Sequence, residues 1–131
     1  MGILTVGFSL HNSDVTPDNV NINFSGQRLT VEGPAVSQGG MTLAKGSTAD
    51  PQTICEASAT QTVFVYVINK STAGGGVIQV DNGDGSTGMV ARLNPGEWMF
   101  IPLEFSEKIR VAEIGNVHAA DCEYAFFTRS V

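Results

Sequence analysis

A chain of 131 residues with 42% apolar and only 15% charged residues is long enough for one well-cored domain, and no composition break marks a second. Its net charge of −6, seven Lys and Arg against thirteen Asp and Glu, argues against the basic face that phosphate binding needs. No apolar run approaches the length that crosses a bilayer, and the opening MGILTV lacks a basic n-region, so the expectation is a soluble, unexported domain without nucleic-acid or membrane partners.

Strand signals run from end to end. In residues 3–10, Leu4, Val6, Phe8 and Leu10 alternate with Thr5, Gly7 and Ser9, giving one apolar and one small or polar face. Val20, Ile22 and Phe24 repeat the pattern against Asn21 and Asn23, and Ser25-Gly26-Gln27 reads as a turn into residues 28–31. Between 32 and 61 the pattern weakens, apart from a short strand at 41–43. Asp50-Pro51 suits a helix start, while residues 53–59 also read as a strand, and both readings stay open. A weakly patterned segment of this length suits an arm or a cover. Strands are then expected at 63–68, 77–80, 89–93, 97–103, 108–114 and 122–128, with Asn94-Pro95-Gly96 as a tight turn. The fold class that follows is all-β, an antiparallel β-sandwich of jelly-roll-like form, in a single domain spanning residues 1–131.

Several of these strands are apolar on both sides. Val63, Val65 and Val67 oppose Phe64, Tyr66 and Ile68; Trp98, Phe100 and Pro102 oppose Met99, Ile101 and Leu103; Phe127 stands apart from Cys122, Tyr124 and Phe126. One opposing sheet covers only one face, so the second must be covered by the 32–61 segment or by a neighbouring subunit. The subunit is the preferred reading, with Phe64, Tyr66, Ile68, Met99, Ile101 and Phe127 as its interface.

Nothing in the chain makes a convincing catalytic constellation. The loop DNGDGSTG at 81–88 opens like a calcium loop, but Arg92 stands where an EF-hand needs its bidentate Glu, and Asn-Gly and Asp-Gly are ordinary hairpin dipeptides. A looser site using Asp81 and Asp84 is the weaker alternative. His11 and His118 have no metal-ligand spacing, and no local motif joins either to a thiol. Cys55 and Cys122, each followed by Glu, read as small buried thiols, with a pairing between them left open. Gly74-Gly75-Gly76 lacks the Lys and helix of a phosphate cradle, and the cupin-like rhythm of residues 93–103 lacks metal-binding histidines. Gly2 begins a myristoylation pattern that fails at Val6, and the sequons at Asn23 and Asn69 have no secretory route to serve them. No cofactor and no metal are expected, and the chain reads as no enzyme.

The stretch VFVYVIN at 63–69, the loop to Val77, residues 89–93, and LNPGE at 93–97 leading to Ile101-Pro102-Leu103 resemble small β-sandwich virion proteins of tailed bacteriophages. The resemblance covers about half the chain. It implies a non-enzymatic structural subunit, a capsid decoration or cement protein or a tail or neck component, assembled in the host cytoplasm and located in the virion. Its partners would be copies of itself or other virion proteins. The alternative is a carbohydrate-binding module, for which Trp98, Tyr66 and Tyr124 are the aromatic candidates; their place inside apolar strands favours core packing instead.

Overall fold

The computed structural model describes residues 2–12, 20–31, 37–57, 62–83, 88–104 and 107–129, with backbone alone at 10–12, 20–24 and 37. Its strands are β1 (Gly2–Asn12), β2 (Val20–Val31), β3 (Ser37–Leu43), β4 (Gln52–Cys55), β5 (Val63–Asn69), β6 (Ile78–Asp81), β7 (Met89–Leu93), β8 (Trp98–Leu103), β9 (Ile109–Glu113) and β10 (Ala120–Thr128). A 3-10 turn, Ser47–Ala49, precedes β4, and no α-helix occurs among the described residues.

Two four-stranded antiparallel sheets pack face to face, in the orders β3-β10-β5-β8 and β4-β9-β6-β7. The core between them takes alternate residues from each sheet: Val65, Val67, Met99, Leu103 and Cys122 from one, Ile78, Val80, Leu93, Ile109 and Val111 from the other. The all-β sandwich reading therefore holds. Outside it, β1 and β2 form a separate two-stranded hairpin, joined to the sandwich by a bridge between Val31 and Arg129.

Two readings of the sequence need correction. Residues 25–27 do not turn the chain: β2 runs through them as a β-bulge, with Val6 opposite Gln27, Phe8 opposite Phe24, and Gly26 at φ 69°. The left-handed glycine absorbs the extra residue and bends the ladder instead of reversing it. The segment 32–61 is neither arm nor cover where it is described. It supplies β3 and β4, the edge strands of the two sheets, with the strand reading prevailing after Pro51. β3 carries Gly39 and Gly40 and β4 spans four residues, so neither shows a long apolar alternation.

Polar side chains fix the loops that close the sandwich. Glu113, at the end of β9, is wholly buried, and its carboxylate accepts backbone N–H groups from Gly46 (2.6 Å), Val77 (3.3 Å), Gly115 and Asn116 (3.0 Å). Three separate loops converge on this one group. The crowding explains Gly76, where a Cβ would come within 2.5 Å of the His118 carbonyl oxygen and 2.7 Å of Glu113 Cγ. Asn69, also wholly buried, donates from Nδ2 to the Gly76 and Leu93 carbonyls (both 2.9 Å) and accepts from the Ser71 N–H. Its amide is thereby committed to structure, which removes it as a glycosylation acceptor in the folded chain.

Burial opposes ionisation of Glu113, but the four N–H donors outweigh it and hold the carboxyl below its ordinary value of 4.5. A lowered folded pKa stabilises the protein fully above that value, and the contribution disappears as pH falls through the folded pKa. Glu113→Gln should cost about 1.5–3 kcal/mol at neutral pH, the range for hydrogen bonds to a charged group. Urea unfolding across pH 3–7 should show wild type and variant converging as the solution is acidified; a constant difference would contradict the assignment.

Candidate functional site

The site grows from the alternation of β5. Its antiparallel registers place Val65 opposite Ile101 and Val67 opposite Met99, so these four share the inner face. The intervening pairs, Phe64–Pro102, Tyr66–Phe100 and Ile68–Trp98, point outward, joined from β10 by Phe127 opposite Phe64 and Ala125 opposite Tyr66. Of the six residues expected at an interface, Phe64, Tyr66, Ile68 and Phe127 thus lie together on the outer face. Met99 and Ile101 belong to the core side. Their places on the outer face are taken by Trp98 and Phe100, which the sequence reading assigned to the opposite side of β8.

The outer face is strongly aromatic and only partly covered. Phe64 and Phe100 stack with ring centroids 5.6 Å apart, and the Arg129 guanidinium lies 5.2 Å above the Phe64 ring. Trp98 is 49% exposed, so the single tryptophan is not a core residue. Tyr66 also faces outward, and Tyr124 alone among the aromatic sugar-platform candidates packs on the core.

The cover comes from the N-terminal hairpin, a source the sequence reading did not consider. Leu4, Val6 and Phe8 of β1 face the sheet and are half-buried, while Ile3, Thr5, Gly7 and Ser9 are exposed. Phe8 meets Trp98 edge to face at 6.2 Å, and the Val31–Arg129 bridge ties the hairpin base to the end of β10. Between these contacts the two walls stand apart, leaving an open cleft of about 840 Å3 lined by Leu4, Val6, Phe8, Tyr66, Phe100 and Phe127 among others. No lining residue carries a charge, and the polar side-chain groups are the hydroxyls of Thr5 and Tyr66 and the indole N–H of Trp98. Such a wall can exclude water and hold apolar side chains. It offers little for acid–base chemistry.

Elsewhere the candidate chemistry is absorbed by structure. The Asp81 carboxylate accepts from Arg110 Nε and from the Gly83 N–H, each at 2.8 Å. Burial opposes its ionisation, but Arg110 and Gly83 hold it below the usual range. Asp84 and the rest of 84–87 lie outside the described residues, as does the side chain of His11. Among the described residues no group of three or more His, Cys, Asp or Glu could hold a metal ion. Cys55 and Cys122 are buried and unpaired. Burial, reinforced by Glu123, pushes the Cys122 thiol up to about 12; burial and Glu56 raise that of Cys55. A thiolate nucleophile is disfavoured at both. His118 is exposed in the turn after β9.

Compared with protein families and with curated proteins, the chain matches none.

The two sides of β8 should respond differently to truncation. Met99→Ala should cost about 2–4 kcal/mol in urea unfolding, as for a buried methionine. Trp98→Ala should cost less than about half of that, because much of the indole already meets water. Equal costs would place Trp98 in the core.

Proposed function

We propose that this protein is a non-enzymatic structural subunit of a virus particle, working through protein–protein contacts made by the outer face of the β3-β10-β5-β8 sheet and the hairpin above it. The observation that carries the reading is that face. It concentrates Phe64, Tyr66, Trp98, Phe100 and Phe127 outside the core, under a cover that leaves a cleft open. Large apolar surfaces on a folded domain mark contact sites.

Topology supports the same reading. The orders β3-β10-β5-β8 and β4-β9-β6-β7 suit an eight-stranded jelly roll, with the chain passing between sheets at every step except β6 to β7. Jelly rolls recur in viral capsid proteins, and also in lectins and cupins. This is support by fold analogy, which narrows the choice without making it. Cupin chemistry wants clustered metal ligands, and the described residues hold none. The resemblance to phage virion proteins points to the first group, with capsid decoration and tail or neck parts as the candidate locations.

A sugar-binding module is the second reading, favoured by the exposed Trp98 beside Tyr66. It ranks lower because sugar rings need convergent hydrogen-bond partners, and the cleft offers two side-chain hydroxyls and one indole N–H, with no carboxylate or amide side chain.

Light scattering on the purified chain should give a mass above that of the monomer, rising with concentration. Phe127→Asp should reduce that mass more than it lowers the unfolding midpoint, since Phe127 lies on the outer face, outside the core between the sheets. A strict monomer at high concentration that joins no particle would exclude the structural-subunit reading and promote the sugar-binding one.

A further inference from the structure

The sandwich has four edge strands, β3, β8, β4 and β7, and three of them are closed to a further strand. In β8, Pro102 pairs with Phe64; it has no N–H to offer, and its ring takes up space at the edge. In β7, Val90 is the extra residue of a bulge between Met89 and Ala91, and the charged Arg92 is exposed. β4 is four residues long and bulged at Ile54. Prolines, bulges, charges and short length are the devices by which sheet edges resist pairing. β3 carries none of them. Its seven residues, SQGGMTL, hold no charge and no proline, and they pair with β10 from Ser37–Phe126 to Leu43–Ala120 without a register shift.

The direction of its free groups follows from β10. Asp121 donates its N–H to Ser71 Oγ at 2.9 Å, and its carbonyl accepts from the Lys70 N–H at 2.7 Å, so both backbone groups point towards β5. Thr42, opposite Asp121 on the other ladder, therefore turns its own N–H and C=O away from β10. Alternation gives the same outward direction to Gly40 and Gln38. All three residues are exposed, and no strand among the described residues lies beyond them. Met41 and Leu43 bond back to β10 and pack on the core, which holds the strand in place.

We propose that this edge takes β3 of a second copy of the same chain, antiparallel across a two-fold axis at Gly40. The proposal rests on the structural-subunit reading and names its partner. The outward residues 38, 40 and 42 are symmetric about the middle one. With Gly40 opposite Gly40, Gln38 of each chain meets Thr42 of the other, and every pair can exchange two hydrogen bonds. Other registers leave some of these groups unpaired. A two-fold contact of this kind is self-complementary. It also sets both aromatic outer faces on the same side of one continuous sheet.

Charge favours this edge for a chain whose copies each carry −6, because β3 brings no charge to the axis. The carboxylates of the adjacent strand, Asp121 and Glu123, are three strand spacings from their counterparts, about 14 Å. That exceeds the screening length of about 8 Å at physiological salt. A contact made by one strand pair is smaller than the roughly 800 Å2 per partner of a standard interface, so the pair forms and parts with concentration.

Variants of Gly40 in the full chain test the edge. A Cβ there would meet only the Cys122 carbonyl oxygen, at an ordinary 3.5 Å, so these variants keep the fold. Opposite residues that exchange hydrogen bonds have Cα atoms about 5.5 Å apart, within reach of a disulfide. Oxidised Gly40→Cys should give a covalent dimer that reduction reverses. Wild type, whose thiols are buried, should give none, and Val117→Cys, exposed elsewhere, should cross-link far more slowly. In sedimentation, Gly40→Lys and Gly40→Glu should each weaken association at least about tenfold by setting like charges opposite each other, and mixing the two should restore it. If wild type assembles while Gly40→Cys cross-links no faster than the control, or Gly40→Lys associates as wild type does, the edge proposal is wrong and the structural-subunit reading stands. A wild type that is monomeric at high concentration also overturns the edge proposal. Only if it joins no particle either does the structural-subunit reading fall with it.

Discussion

Strict two-residue alternation in β5, locked by ladders on both sides, governs the architecture. With β10 on one flank and β8 on the other, β5 has no freedom to slip: one residue of shift would exchange its valines for Phe64, Tyr66 and Ile68. The small, β-branched valines interleave in the narrow space between sheets, where Val65 and Val67 are wholly buried. The aromatics go to the other side, where no second sheet of the sandwich exists. A central strand that is apolar on both faces therefore creates two interfaces. One is the core. The other has to be covered by something outside the eight-stranded body, and the hairpin is the first layer of that cover.

Loop geometry is held by buried polar groups. Glu113 draws three loops to one carboxylate, Asn69 ties the turns on either side of β6 and β7, and Asp81 pairs with Arg110 across neighbouring strands. Each places an acceptor or donor where backbone N–H or C=O groups would otherwise be buried without partners. The cleft lies on the far side of the β3-β10-β5-β8 sheet from these anchors. Glu113 and Phe127 therefore lie on opposite sides of that sheet.

The hairpin and the sandwich relate as arm and body more than as two halves of a core. The bridge at Val31 and the Phe8–Trp98 contact hold the arm across the face, and the space between them stays open.

Much of this was legible in the chain itself. Alternation in residues 3–10 and the unbroken run at 63–68 gave the strands, the absence of a helical stripe gave the class, and the apolar excess announced a second covered face. Other features had no local signature. Where both faces of a strand are apolar, alternation carries no polarity, so nothing in WMFIPL says that Met99 and Ile101 turn inward while Trp98 and Phe100 turn out; only pairing with β5 decides it. The strands β3 and β4 looked weak because one holds two glycines and the other is four residues long; pairing with β10 and β9 gives them their places. Glu113 and Gly76 are unremarkable residues until distant loops converge on them. Which element covers the aromatic face is likewise a question of chain path. Periodicity records how a segment meets its surroundings, and only the folded chain supplies the surroundings.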